Sequence, residues 1–182
     1  RIELALHENK NVDAYFPYIL RPAILHANQL MEGIQLKGVD ASFHWPTTMQ
    51  YSGEALSKID SSSANAIVLS STTANRLRLQ KGSDLFVYFL QKESNVPKIR
   101  KLKVVGLYHT GMEELDKHFA FCQLSLLQKV NQWNAEQISG YQVHVVDPLQ
   151  ATSIANTLQQ QYLQAPVVAT TTSDLYASIF DW

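Results

Sequence analysis

The sequence has little of three things that would narrow its function at once: cysteine, excess charge and long apolar runs. Only one cysteine, Cys122, is present, so no internal disulfide can form. Lys plus Arg number 15 and Asp plus Glu 16, a net charge of -1, so the chain lacks the overall field that would hold nucleic acid. No stretch approaches the roughly 20 apolar residues that span a bilayer, and Arg1 opens directly into an amphipathic pattern rather than a signal peptide. The near-zero net charge therefore predicts no nucleic-acid partner.

Motifs for nucleotide binding and nucleophilic catalysis are also missing. There is no Gly-rich phosphate loop, so we expect no ATP and no other cofactor. The run SSTT at 70–73 lies between a predicted strand and a predicted helix, but it lacks the glycines of a nucleophile elbow and is interpreted as a helix cap. Cys122 stands in the apolar run FAFC and is predicted to be a small buried residue. A catalytic thiol is not expected, because the local sequence places no His or Lys to lower its pKa. The sequence predicts a protein that is not an enzyme.

What is present indicates a globular chain of mixed secondary structure. Its 182 residues are 46% hydrophobic and 17% charged, which suits one domain or two small lobes. Apolar runs and alternating apolar positions predict strands at 18–26, 31–39, 66–69, 84–91, 100–108, 117–123, 141–145 and 166–170. Helical spacing predicts helices over 1–10, after Ser70 or Ser71, across 126–133, after Asp147, and from Thr172 or Ser173 with Leu175, Ile179 and Trp182 on one side. Strands and helices do not alternate strictly, so the predicted fold class is α+β.

Local signals fix several junctions between these elements. Pro22 places its part of the first strand at an edge or a bulge. A polar turn at 27–29 joins the first two strands, and a polar linker at 93–98 joins strands 84–91 and 100–108 into a hairpin. Residues 40–64 are interpreted as an irregular connection.

Four segments, taken in order, carry a family resemblance. They read YILRPAILHANQLMEGIQLKGVD at 18–40, NAIVLSSTTANRLRLQKGSDLF at 65–86, KLKVVGLYHTGMEELDKHFAFC at 101–122, and a Ser-Gly to Asp-Pro stretch at 139–148. Their order and spacing resemble the extracytoplasmic, or periplasmic core, domain of FtsX-like and MacB-like ABC transporter permeases. The lipoprotein-releasing LolC/LolE type is the most similar among these.

The resemblance implies a two-lobed domain and a set of partners. Residues 1–44 with 139–182 would form a membrane-proximal βαβ-type lobe, and 45–138 an inserted, β-rich distal lobe. The protein would belong to the inner (cytoplasmic) membrane with this domain in the periplasm. Its partners would be a paired permease subunit, a cytoplasmic ATPase subunit reached through membrane helices, and a periplasmic lipoprotein carrier or lipoprotein cargo. An efflux or signalling permease of the same superfamily is the alternative.

One difference from the LolC type concerns the hairpin linker. In that family member the linker is a long hook that grips the lipoprotein carrier, whereas the linker 92–98 is short. The chain is therefore closer to a LolE-type subunit, or to a merged permease that serves both roles.

The hairpin tip is the predicted partner contact because it concentrates positive charge. The predicted contact residues are Lys92, Glu93, Lys98, Arg100 and Lys101. Such a patch would meet an acidic partner surface or anionic headgroups. The other interpretation is a charged strand edge that discourages aggregation.

The acidic segment after the predicted strand 100–108 is interpreted as a structural turn. Gly111 breaks the strand, and the resemblance places Glu114 and Asp116 in a tight turn where carboxylates accept backbone N–H groups. A hypothesis from another class is a soluble metal-dependent hydrolase that uses His109, Asp116 and His118. Because these residues span a loop rather than one helix face, no metal site is predicted.

Overall fold

The structure, a computed structural model, describes residues 2–55 and 64–175. Its elements are α1 (Ile2–Glu8), β1 (Val12–Ala27), β2 (Leu30–Val39), β3 (Gln50–Gly53), β4 (Ala66–Ser70), α2 (Ser71–Leu77), β5 (Asp84–Phe89), β6 (Lys98–His109), α3 (Glu113–His118), β7 (Phe119–Gln123), α4 (Leu124–Val130), β8 (Gly140–Val145), a 3-10 turn (Pro148–Gln150), α5 (Ala151–Tyr162) and α6 (Thr172–Leu175). The predicted α+β class is confirmed. None of the described helices is long and apolar enough to cross a membrane.

The chain divides into two compact units. One comprises residues 1–15 and 142–182, here called the terminal unit, and the other comprises residues 16–141, here called the central unit. The lobes implied by the family resemblance, 1–44 with 139–182 and 45–138, are a different division of the chain, and that division stays a prediction.

The central unit is built on a sheet that closes on itself. Strand β2 pairs with β7, β7 with β4, β4 with β6, β6 with β5, β5 with β1, and β1 again with β2. The β2–β7 and β4–β6 pairs are parallel, and the other pairs are antiparallel. The predicted hairpins β1–β2 and β5–β6 are both confirmed. Asn28 and Gln29, both with positive φ, form the two-residue turn of the first hairpin.

Alternation along the strands fills the interior of this ring. In β5 the buried residues are Leu85, Val87 and Phe89, and their neighbours Asp84 and Phe86 are exposed. The same period of two brings one apolar face of every ring strand into a single core. Cys122 belongs to that core and is fully buried, as predicted, and burial raises the pKa of its thiol. The core is therefore the inside of the closed sheet.

The predicted irregular connection 40–64 holds a strand that the sequence analysis missed. β3 pairs with the end of β6, and Trp45, Met49 and Tyr51 cover a second, smaller apolar cluster on the other face of β4 and β6. A Cβ atom at Gly106 would lie 2.0 Å from the Tyr51 hydroxyl oxygen. Glycine is needed there because the Tyr51 ring lies directly on the backbone of β6.

Helix caps agree with their sequence signals in both units. The Ser70 hydroxyl accepts a hydrogen bond from the backbone N–H of Thr73 at 3.0 Å and so caps α2. The Asp147 carboxylate accepts the backbone N–H of Leu149 at 3.1 Å. This cap starts the 3-10 turn, and the α-helix proper begins at Ala151.

Two strand predictions are wrong in whole or in part. Residues 166–170 form no strand; instead the Gln159 side chain accepts the N–H of Ala169 at 2.7 Å and donates to the carbonyl of Val167 at 3.2 Å. A side-chain amide thus satisfies backbone groups that a neighbouring strand would otherwise pair. The strand predicted at 117–123 begins only at Phe119. For the last predicted helix the structure describes Thr172–Leu175, while Ile179 and Trp182 lie outside the described residues.

Candidate partner-binding surface

The β5–β6 hairpin positions all of the residues predicted for partner contact. Its register places Phe89 opposite Lys98, Val87 opposite Arg100 and Phe86 opposite Lys101. Residues directly opposite in an antiparallel pair share a face. Lys98 and Arg100 therefore belong to the face that carries the buried side chains, and Lys101 belongs to the outer face.

Lys98 is held by the protein itself. Its Nζ donates a 2.5 Å hydrogen bond to the carbonyl of Val130, the last residue of α4. A cation at a helix C-terminus satisfies an unpaired carbonyl and interacts favourably with the helix dipole. Arg100 is half-buried, and its guanidinium donates to the Ile99 carbonyl at 2.9 Å. These two cations have intramolecular roles that the sequence analysis did not foresee.

Three predicted contact residues are accessible. Lys92 and Glu93 lie exposed in the linker, and Lys101 lies on the outer strand face, where its Nζ is 3.8 Å from the Asp84 carboxylate. Ion pairs this exposed contribute little to folding. Lys101 is therefore available to a partner, as are the two linker residues.

An exposed apolar area, which was not predicted from the sequence, lies beside these charges. Among the described residues of the central unit, the large apolar side chains that remain exposed are Met31, Phe86, Leu90, Val96 and Ile99. All of them belong to the β5–β6 hairpin, its linker, or the start of β2. We call this area, together with Lys101 and Lys103, the outer hairpin face.

Strand pairing explains why these side chains are neighbours. On the outer side, Tyr88 stands opposite Ile99 in β6 and opposite Ile24 in β1. The His26 ring stacks on Tyr88 with centroids 5.6 Å apart, and Met31 is paired with His26 across the first hairpin. A signal for this was present in the sequence: β5 reads DLFVYF, in which aromatic residues also occupy the alternate, outward positions. Exposed apolar surface gathered in one place is typical of an interaction site.

The acidic segment forms a short helix rather than a turn. Glu113–His118 is α3, stabilised by ion pairs at i,i+4 between Glu113 and Lys117 at 2.6 Å and between Glu114 and His118 at 3.2 Å. The first of these pairs lowers the pKa of Glu113. Glu114 and Asp116, for which the resemblance implied a tight turn, thus lie on α3, because local i,i+4 pairing favours a helix.

Asp116 is nevertheless an acceptor of backbone N–H groups. Its carboxylate is 2% exposed and receives the N–H of Thr110 at 3.1 Å, the N–H of Gly111 at 3.2 Å and the Thr110 hydroxyl at 2.6 Å. Gly111 has φ +81, which closes the loop around the carboxylate. The backbone carbonyl of Asp116 also accepts the Ser70 hydroxyl. Asp116 therefore joins the loop at 109–112 to the start of α2.

The residues of the hydrolase hypothesis are not assembled into one site. His109 Nδ1 lies 3.2 Å from Asp116 Oδ2, but His118 is paired with Glu114. No group of three or more His, Cys, Asp or Glu side chains placed to hold a metal ion occurs in 2–55 or 64–175. The geometry gives these histidines pairing roles within the loop and α3.

Comparisons with known proteins identify the fold. No protein-family profile matches the sequence, and no curated protein matches it. Among solved structures, the periplasmic region of MacB from Actinobacillus actinomycetemcomitans is similar over 100% of this chain and 82% of its own, with 13% identity and a TM-score of 0.60. The extracellular domain of the noncanonic ABC-type transporter YknZ from Gram-positive bacteria is similar over 88% of this chain and 82% of its own, with 14% identity and a TM-score of 0.59. The chain shares the fold of these transporter domains.

Proposed function

We propose that this chain is a non-catalytic, extracytoplasmic domain of an ABC transporter permease that binds a protein partner through its outer hairpin face. The observation that carries the proposal is the similarity of the whole chain to the MacB periplasmic region. The apolar, basic outer hairpin face supports the binding role. The domain would transmit conformational change by contact between surfaces rather than by reacting groups.

The finer proposal is lipoprotein release from the inner membrane. The four sequence segments support it through their resemblance to the LolC/LolE type. The partners would be a second permease subunit, a cytoplasmic ATPase subunit, and a periplasmic lipoprotein carrier or the lipoprotein itself. The short linker between β5 and β6, Leu90–Pro97, favours contact through the strand face over a long hook.

An efflux or signalling permease is the second candidate. It is favoured by the two structural neighbours, whose domains belong to MacB and to a noncanonic ABC-type transporter. Both candidates use the same outer hairpin face, and they differ in the molecule that contacts it.

Periplasmic location is tested first, by labelling an introduced cysteine. The native Cys122 is buried and should not react with the label. With Cys122 fully buried, a Lys92→Cys variant would carry the one accessible thiol among the described residues. In intact cells with a permeabilised outer membrane, a membrane-impermeant maleimide should label it. Labelling only after the inner membrane is broken would contradict the proposal.

Partner contact is tested by photocrosslinking in the protein within its own membrane. A photoreactive amino acid replacing Phe86 should form a crosslink, and one replacing Leu149 in the terminal unit serves as a matched exposed control. Mass spectrometry of the product separates a lipoprotein carrier or lipoprotein from another periplasmic partner. ATP should change the crosslink yield; equal yields with and without ATP would argue against a role in transport.

A further inference from the structure

A groove with a volume of about 1020 Å³ lies on the central unit, beside the linker between β5 and β6. Backbone pairing explains its position. The pairing of β1 with β5 covers only Ile24–His26. Pro22, two residues before Ile24, has no backbone N–H with which to extend this pairing. The two strands separate there, and Pro22, Ile24, Ile34 and Leu90 line the opening.

The lining of the groove is positively charged. Arg21, Lys92 and Lys98 contribute cations, whereas Glu93 contributes a carboxylate. Arg21 donates to the carbonyl of Leu90 at 2.8 Å and to Asn131, so it is fixed in place while its remaining N–H groups stay free to donate. Lys92 makes no hydrogen bond or ion pair with any residue in the described part of the chain. The groove therefore complements a negatively charged ligand.

The side-chain amides in the lining and the exposure of the groove to solvent favour a peptide over a hydrocarbon chain or a small molecule. Gln35, Gln91, Asn131 and Gln132 contribute amides to the lining, and each amide both donates and accepts hydrogen bonds, as a peptide backbone does. Asn131 and Gln91 already make one hydrogen bond each within the protein, whereas a hydrocarbon chain lying over Gln35 and Gln132 would leave their amides unpaired at a cost in free energy. The groove is also open to solvent, whereas sites for small molecules enclose most of the ligand surface.

We propose that this groove binds an extended, acidic peptide segment that carries some apolar side chains. Carboxylates of the segment would pair with Lys92 and with the remaining donors of Arg21 and Lys98. Its apolar side chains would lie against Pro22, Ile34 and Leu90. This inference goes beyond the proposed function, because it concerns the groove, which shares only Leu90 with the outer hairpin face.

Three synthetic peptides of equal length test the charge requirement. Each alternates Leu with one other residue, which is Asp in the first, Asn in the second and Lys in the third. Fluorescence anisotropy with the 182-residue chain should show saturable binding of the Asp peptide and about tenfold weaker binding of the Asn peptide. The Lys peptide should not bind. Added salt should weaken the Asp peptide most.

Two charge reversals test the location. Lys92→Glu should weaken binding of the Asp peptide about tenfold, while Lys103→Glu, the same change on the outer hairpin face, should leave it within twofold. Both side chains are exposed, and an unchanged circular dichroism spectrum will show that both variants fold. Equal weakening by the two variants would place the peptide elsewhere and overturn the proposal.

A fluorescent fatty acid tests whether the groove binds an anionic amphiphile in place of an acidic peptide. Saturable binding of this probe that Lys92→Glu abolishes, without binding of the Asp peptide, would mean that the groove takes an anionic amphiphile and would overturn the proposal. Asp and Asn peptides that bind equally would also overturn it. Either failure would leave the Phe86 crosslinking test of the proposed function unaffected.

Discussion

The two compact units differ in sign of charge. The terminal unit has two basic and six acidic residues in its sequence, a net charge of -4, whereas the central unit has thirteen basic and ten acidic residues, a net charge of +3. The overall charge of -1 conceals this difference. A near-neutral chain can thus present two surfaces that attract different partners.

The units also differ in how they hold their apolar side chains. The central unit closes its sheet around a large core and leaves its exposed apolar residues on the outer hairpin face. In the terminal unit Leu6, Ile154 and Leu158 are buried, while Leu149 is 95% exposed and Val146 and Val168 are also exposed. Among the residues that the structure describes, the large apolar core therefore belongs to the central unit, and the terminal unit buries few apolar side chains.

Truncating one buried residue in each unit should give the largest difference between the units in the loss of unfolding free energy. Phe89→Ala, in the central unit, should lower the free energy of unfolding by about 3 to 5 kcal/mol, because it leaves a cavity in the closed sheet. Leu158→Ala, on α5, should cost about 2 kcal/mol because its surroundings can collapse. Urea unfolding followed by circular dichroism measures both. Leu149→Ala is the exposed control, and a larger loss for Leu158→Ala than for Phe89→Ala would reverse the comparison.

Removing one aspartate from each unit compares a buried acceptor with an exposed cap. Asp116→Ala should lower stability by about 2 to 3 kcal/mol, since the N–H groups of Thr110 and Gly111 would lose their acceptor. Asp147→Ala, which removes only the cap on Leu149, should cost about 1 kcal/mol.

Thermal unfolding of the Asp116→Ala and Asp147→Ala variants measures which of them loses more stability. Glu114→Ala, which removes an exposed partner of His118, is the matched control on α3 and should change stability by less than about 0.5 kcal/mol. If Asp116→Ala were no more damaging than this control, its carboxylate would have no structural role. Loss of bound zinc in that variant would revive the hydrolase hypothesis.

The smallest expected effect is a pH dependence in the central unit. Lys37 lies against the rings of Tyr18 and Phe43, and burial lowers its pKa to about 8. The unfolded chain keeps this proton up to about pH 10.4, so it binds more protons than the folded chain between those values. Stability from this group should therefore rise with pH from about 8 to 10, by about 1 kcal/mol, which is roughly half of what the full pKa shift would give because solvent screens the half-buried side chain.

Two variants isolate the titration of Lys37. Lys37→Met should remove the slope and raise stability at pH 7, because no cation is buried. Lys37→Arg should remove the slope while keeping the charge. Measurements should stop near pH 10, since burial raises the pKa values of Tyr18 and Tyr108 and their effect has the opposite sign above that value. A slope that persists in Lys37→Met would assign it to another group.

Local elements were predictable because their signals lie within a few residues of one another. The alternation in β5 and β6, the turn at Asn28 and the caps at Ser70 and Asp147 all appear as predicted. The exceptions have local causes too: α3 forms through i,i+4 pairs, and the segment at 166–170 bonds to the Gln159 side chain in place of a strand.

The candidate site was predictable as a place but not as a set of residues. The basic cluster correctly drew attention to the β5–β6 hairpin, yet Lys98 turned out to bond to Val130, 32 residues away in sequence. Phe86, Ile99 and Met31 were not predicted, because whether an apolar residue is covered depends on what packs against it. No local pattern carries that information.

The order of the residues by itself determined most of the strands, the helix caps and the α+β class, because backbone preference and side-chain period act over a few positions. Only the tertiary structure decided that the sheet closes, that Asp116 is buried and that a basic, apolar face remains exposed. Each of these depends on contacts between residues far apart in the chain, and such contacts exist only once the strands have taken their neighbours.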